Sequence, residues 1–233
     1  MKFVYSTITY IQVYQATLAH LLLARKYPHD KGNVAKSWST RILDLLDLDL
    51  EVKGNPVQDP SMLFLGNHIS YLDIPLLMKT VPDISFMAKA ELARWPLFGD
   101  GARAANTIFV QRDSNSSRSR ALLTLEENLL EGRRVVLFPS GTTSLDESKP
   151  WKRGAFSLAK KMKIKVQPFR LTYTPLRVAA YIDDDFFPAH LNKLCRHGKI
   201  HATLEFHEPV IIDHAETARK KWEKWARELM HTN

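Results

Sequence analysis

The sequence predicts an α/β fold, a mixed sheet flanked by helices and preceded by an N-terminal helical pair. Three observations carry this. Short apolar runs of strand length alternate with segments whose apolar residues recur every three or four positions, the pattern of strands laid between helices. Of the 233 residues, 45% are hydrophobic and 25% charged, which supplies one substantial core and excludes a disordered chain. The first fifty positions hold two long helical stretches ahead of the alternating pattern. We therefore expect membrane-associating helices over residues 1–50 and the α/β domain over residues 51–233.

Residues 3–24 carry no formal charge, a length that just crosses a bilayer. Gln12, Gln15 and His20 interrupt the run, and each is costly in hydrocarbon. Tyr5, Tyr10 and Tyr14 suit a headgroup boundary, and Arg25 and Lys26 follow at once, suited to anionic lipid. The expectation is a peripheral helix in the interface of the inner, cytoplasmic membrane, with the main domain on the cytoplasmic side. A single spanning anchor and a helix buried on the protein are the alternatives. No small-residue cleavage site follows, so a signal peptide is not expected.

Residues 27–33 hold Pro and Gly and read as a turn. Val34, Trp38, Ile42 and Leu45 then recur at helical spacing. Gly54, Pro56 and Pro60 mark the way into the main domain. Residues 61–65 form a short apolar run before Gly66 and predict a strand. Helix is expected over 74–79, and strands over 84–88 and 107–111. Residues 118–131 predict a helix with Leu122, Leu125 and Leu129 on one face and Gly132 as its stop. A strand over 135–138, a helix over 154–161 and strands over 164–170, 178–182 and 202–206 follow. Residues 217–230 close the chain as a charged helix.

A net charge of +8 draws anions: phospholipid headgroups, nucleic acid, coenzyme phosphates or an acidic carrier protein. No helix-turn-helix, zinc-finger or RNA-binding signature is present, so nucleic acid is not the expected partner. The lone Cys195 excludes an intrachain disulfide and any zinc site built on paired cysteines. His190, His197, His201, His207 and His214 lack zinc-ligand spacing and read as scattered surface histidines, and no metal is expected. Lys160, Lys161, Lys163 and Lys165 read as a solvated basic face.

The sharpest local feature is the run 67–73, Asn-His-Ile-Ser-Tyr-Leu-Asp, directly after a strand-like segment. On a helix, five residues would set His68 and Asp73 roughly 140° apart around the axis. In extended chain they could not touch. They meet only if the chain turns between them, and Pro75 suits the first turn of a following helix. A carboxylate at that helix start could then fix the imidazole tautomer and leave the other ring nitrogen as a general base. By spacing alone the pair is weak evidence, and an N-capping Asp beside an unrelated surface His is the bland account.

The neighbouring blocks narrow the choice. The sequence resembles the lysophospholipid and glycerol-phosphate (1-acylglycerol-3-phosphate) acyltransferase family, whose first block is a His and an Asp separated by four residues. Its second block is similar to Asn106-Thr107-Ile108-Phe109-Val110-Gln111-Arg112, its third to Phe138-Pro139-Ser140-Gly141-Thr142-Thr143-Ser144, and its fourth to Val166-Gln167-Pro168. The similarity runs over roughly residues 50–212. It implies a glycerolphosphate acyltransferase-like fold. The implied activity is transfer of a fatty acyl chain from acyl-CoA or an acyl carrier protein to a lysolipid hydroxyl, with no bound cofactor. It implies His68 as base and Asp73 as its orienting group. Asn67, Arg112, Ser140, Gly141, Thr142, Lys152 and Pro168 become the expected substrate-binding residues, with Arg112 on the acceptor phosphate.

The third block departs from the family pattern. Where the family usually carries Glu after the Pro, and often Arg before the final Ser, this chain has Ser140 and Thr143. That loses a fixed negative charge and a phosphate-binding cation. Gly141 and Thr142 are expected to offer backbone N–H groups and a hydroxyl to an anion. The expected acceptor is a lysophospholipid such as 1-acylglycerol-3-phosphate or a related lysolipid. The departure keeps two alternatives open: a lyso-ornithine lipid as the acceptor, or a lipid-binding family member with catalysis reduced by Ser140 and Thr143.

Overall fold

The computed structural model describes residues 2–230 except Pro96, Arg112, Asp113, Glu147, Ser148, Asp183 and Asp184, with side chains from residue 7 onward. Two helices lead: α1 (Lys2–Lys26) and α2 (Lys31–Leu45), an antiparallel pair joined by the expected turn. The alternating part follows as β1 (Leu48–Lys53), β2 (Leu63–Gly66), α3 (Asp73–Thr80), β3 (Ile84–Lys89), a 3-10 turn (Ala90–Arg94), α4 (Phe98–Ala104) and β4 (Ile108–Val110). It continues as α5 (Asn115–Leu130), β5 (Arg134–Leu137), α6 (Gly154–Met162), β6 (Lys165–Thr174), α7 (Leu176–Ala179), α8 (Phe187–His197), β7 (Ile200–Phe206), β8 (Val210–Ile211) and α9 (Ala215–Met230).

The described strands form one mixed sheet in the order β1-β7-β6-β2-β5-β3-β4, with β8 also on β6. β6 runs antiparallel to β7 and β8, and the other pairs are parallel. Parallel strands covered on both faces read as continuous apolar runs, and residues 63–65 of β2 are fully buried. One core layer joins α2, α3 and α8 to the sheet through Leu43, Phe64, Leu76 and Leu191. The other joins α5, α6 and α9 to it through Leu65, Leu125, Phe156 and Trp222.

Several elements differ from expectation. Residues 178–182 are not a strand. Pro175 stands at the N-cap of the short helix α7, and the Tyr181 N–H then donates to Ile69 O at 3.0 Å instead of entering a ladder. Strand β1 pairs with β7 and crosses the expected boundary between residues 50 and 51, so the helical pair runs directly into the sheet. Helix α8 was not expected, although Phe187, Leu191 and Leu194 lie at helical spacing and Pro188 starts it.

Helix α1 has two apolar faces. Val13, Thr17, Leu21 and Ala24 are buried against the protein. Ile8, Ile11, Leu18 and Leu22 fall on the opposite side at helical spacing and are about half exposed. No described helix is long and apolar enough to cross a membrane. Tyr10 and Tyr14 are half-buried against the protein, and the Tyr5 side chain lies outside those described. The Tyr10 and Tyr14 rings pair at 5.1 Å, and Tyr14 meets Phe98 edge-on at 5.8 Å. Burial is the main reason the Tyr14 hydroxyl is pushed up to about 12.

Candidate active site

Strand β2 lies between β5 and β6 and delivers the chain to the 67–73 loop. Its last residue, Gly66, has no room for a side chain: a Cβ there would lie 2.4 Å from the Phe169 ring and 2.5 Å from its carbonyl oxygen. The Asn67 side chain then bridges to β6, donating to Leu171 O at 2.8 Å and accepting from Leu171 N at 2.9 Å. Beyond it the chain turns. Asp73 N donates to Ser70 O, α3 begins at Asp73, and Pro75 sits in its first turn. His68 is thus in the loop and Asp73 at the helix start, the one arrangement that lets them meet at this spacing.

They do meet. His68 Nδ1 lies 2.6 Å from Asp73 Oδ2. An ionised carboxylate only accepts, so Nδ1 carries the proton and Nε2 is the basic ring nitrogen. Asp73 is fully buried, and its Oδ2 also accepts from the N–H groups of Ile69 at 2.8 Å and Ser70 at 3.1 Å. Its other oxygen, Oδ1, accepts from the Tyr173 hydroxyl at 2.5 Å. The imidazole stacks on Phe138, with centroids 3.9 Å apart and planes within 8°. Two backbone bonds hold the loop from outside: Ser144 N to His68 O at 2.9 Å, and Tyr181 N to Ile69 O at 3.0 Å. A held imidazole with one nitrogen fixed by a buried carboxylate is equipped for general-base chemistry.

Next to the pair, Tyr71 donates to His190 Nδ1 at 2.9 Å, and His190 Nε2–H donates to Ala180 O at 2.8 Å. His190 is therefore a buried structural residue, not the surface histidine its spacing implied. Burial, the largest influence, holds its imidazole below the ordinary range, against the opposing bond to Ala180 O. Burial likewise pushes the Tyr71 hydroxyl well up, and buried Tyr173 is raised by burial and then by the Asp73 charge. Both phenols stay protonated donors.

The pair opens onto an apolar cavity of about 460 Å³, within the ~300–1,000 Å³ typical of small-molecule sites. It reaches from His68, Tyr71 and the 141–143 turn to Ala24 and Lys31 at the α1–α2 turn. The space beside Gly32 is filled by Asp83, which precedes β3 at the N-terminal end of the parallel strands, whereas His68 follows the C-terminal end of β2. Between the ends the wall is Val13, Leu21, Trp38, Met78, Phe86 and Leu191. The N-terminal pair is thus one wall of the site and not a separate appendage.

Of the expected substrate-binding residues, Gly141 and Thr142 line this cavity. The Gly141 N–H, expected to be offered to an anion, donates to Phe138 O at 3.0 Å and closes a turn at φ +77°. Ser140 is buried and donates to Thr142 O at 2.9 Å, which pins the same turn. Asn67 and Pro168 are buried in the β2–β6 junction, and Lys152 is exposed; none of the three lines the cavity. Arg112 lies outside the described residues. Sequence reasoning missed Tyr173, the Phe138 stacking floor and the Ser144 tether. Phe138 and Ser144 stood inside the third block, whereas Tyr173 is 100 residues from Asp73 and carried no local signal.

The chain is similar to known proteins in sequence and in fold. A family model described as Acyltransferase matches residues 49–172. The chain is 36% identical over 202 residues to a lyso-ornithine lipid O-acyltransferase of Pseudomonas aeruginosa, covering 82% of this chain and 76% of that protein. It is 31% identical over 148 residues to a 1-acyl-sn-glycerol-3-phosphate acyltransferase of Neisseria meningitidis, covering 63% of this chain and 58% of that one. In fold it is similar to the crystal structure of the 1-acyl-sn-glycerophosphate acyltransferase PlsC from Thermotoga maritima. The TM-score is 0.72 at 22% identity, over 100% of this chain and 97% of that one.

Proposed function

As a member of the acyltransferase family this chain is an O-acyltransferase, and we propose that it esterifies a hydroxyl of a lyso-ornithine lipid at the membrane surface. The observation that carries the reading is the His68–Asp73 pair, 2.6 Å apart, at the wall of a deep apolar cavity. The donor is a fatty acyl thioester of CoA or of acyl carrier protein, with its chain in that cavity. His68 Nε2 takes the proton of the acceptor hydroxyl as its oxygen attacks the thioester carbonyl. The C–S bond of the tetrahedral intermediate breaks, and the thiol leaves with the proton from the imidazolium. Asp73 stabilises that imidazolium. No acyl-enzyme forms, so no Ser or Cys nucleophile is needed. A positioned base contributes roughly 10²–10⁴-fold.

The third block and the relatives together support this acceptor. Ornithine brings a carboxylate and an amine where a phosphomonoester brings a dianion, and this chain has Ser140 and Thr143 where the family pattern has Glu and often Arg. Lyso-ornithine lipid O-acyltransferases from four bacteria are 30–36% identical to it. Arg112, Thr142 and Lys152 serve anionic groups of the substrates in this reading. The exposed Ile8, Ile11, Leu18 and Leu22 rest in the interface of an anionic membrane, with the catalytic domain on the cytoplasmic side. The experiment is an acceptor screen with one labelled acyl donor, read by mass spectrometry. Lyso-ornithine lipid is expected to give at least tenfold more ester than 1-acylglycerol-3-phosphate, and the reverse preference would sink the assignment.

A further inference from the structure

We propose that Tyr173 is a positioning residue for acyl transfer, acting on His68 through Asp73; this rests on reading that pair as base and orienting group. The two oxygens of Asp73 are not equivalent. Oδ2 receives His68 Nδ1–H and the N–H groups of Ile69 and Ser70. Oδ1 points the other way and receives the Tyr173 hydroxyl at 2.5 Å. Both side chains have no exposure, so water does not supply a replacement donor at the surface. A buried carboxylate oxygen without a donor is costly, and the group relieves that cost by turning to share its remaining donors. Such a turn moves Oδ2 out of line with Nδ1. The phenol therefore fixes the plane of the carboxylate, and the carboxylate fixes the imidazole.

The anchor is rigid on the Tyr173 side. Tyr173 lies on β6 opposite Ala202 of β7, in the antiparallel centre of the sheet, five residues beyond Pro168. The loop is also held by Asn67 on Leu171 of β6, by the Phe138 ring under His68, and by backbone bonds from Ser144 and Tyr181, but these contacts do not reach Asp73 Oδ1. Tyr173 is thus the side chain that ties the acid to the sheet. Burial together with the neighbouring Asp73 charge keeps its hydroxyl protonated, so it donates throughout the working pH range.

The test is a double-mutant cycle of Tyr173→Phe and Asp73→Asn, with thiol release from acyl-CoA measured against lysolipid concentration. Phe keeps the ring and removes only the donor. A lost bond to a charged group predicts kcat lower by about tenfold, with KM for donor and acceptor within about twofold. In the Asp73→Asn background, where the charge is gone, the same change is expected to cost no more than about twofold. A Tyr173→Phe variant with parental kcat, or with equal losses in both backgrounds, overturns the proposal while leaving the pair's reading intact. An Asp73→Asn variant with parental kcat brings down the pair itself and the proposal with it. If the Phe variant is unfolded by circular dichroism, 3-fluorotyrosine at position 173 keeps the shape and strengthens the donor. A shifted low-field resonance of the His68 Nδ1 proton then supports the proposal, and an unshifted one overturns it.

Discussion

Replacing Asp73 by Asn changes one atom's chemistry in a fully buried side chain. The amide oxygen can take the place of Oδ2 and accept from Ile69 N, Ser70 N and His68 Nδ1. The amide nitrogen then meets the Tyr173 hydroxyl, which rotates to accept. Geometry is kept and the negative charge is lost. The charge matters when His68 takes the acceptor proton and becomes cationic. For charges about 4 Å apart at an effective dielectric of about 20, their attraction is about 4 kcal/mol, and losing it predicts kcat lower by roughly 10³-fold. Folding is expected to survive, in contrast to Asp73→Ala, which strands several buried donors at about 1–3 kcal/mol each. The assay is thiol release from acyl-CoA, dependent on added lysolipid, with melting temperature followed in parallel. A folded variant with kcat within about threefold of the parent would refute the orienting role of Asp73.

Three further outcomes follow from the packing. His190 is held below its ordinary 6.5 by burial, so the unfolded chain takes up a proton at a pH where the folded chain does not. Stability is therefore intact above about pH 6.5 and falls as pH drops from there toward the lowered value; His190→Gln should flatten the melting temperature between pH 7 and 5, and an equal slope in both proteins would count against this. His190 also faces Tyr71, Asp185, Arg177 and Lys193, which the variant leaves in place. Gly66→Ala forces a Cβ to within 2.4 Å of Phe169, so a loss of about 1–3 kcal/mol in chemical denaturation is expected together with reduced turnover. Ala35 lines the cavity, and Ala35→Phe should shift donor preference to shorter chains, by about tenfold in kcat/KM per two carbons at about 0.8 kcal/mol per methylene; an unchanged chain-length profile would show that the acyl group lies elsewhere.

Much of the sheet was legible because buried parallel strands write themselves as apolar runs between turn residues. The runs at 63–65, 135–137 and 166–169 are of this kind. Gly132, at φ +82°, ended α5 as expected because a left-handed residue suits that position. Edge strand β1 was less legible: Val52 is exposed, its charges mask the alternation, and its partner β7 is some 150 residues away. Residues 178–182 carried strand-like apolar content, yet Pro175 and the tether to Ile69 decided their shape. In the site, the turn between His68 and Asp73 could be deduced because no regular element lets them touch. The support behind Asp73 could not, since Tyr173 reaches it only through the register of β6. Ser140 and Asn67 read as ligand contacts from their blocks; what the sequence did not show is that their side chains also hold a turn and two strands together.

The role proposed for His68, held by Asp73, is to deprotonate a lysolipid hydroxyl for attack on an acyl thioester. Its most direct measurement is formation of labelled ester from one labelled acyl donor and lyso-ornithine lipid, in anionic vesicles, by the parent and by His68→Ala. Acceptor-dependent ester is expected from the parent, with a loss of at least about 10²-fold in the variant and the fold retained. Ester formed equally well without the imidazole would contradict it.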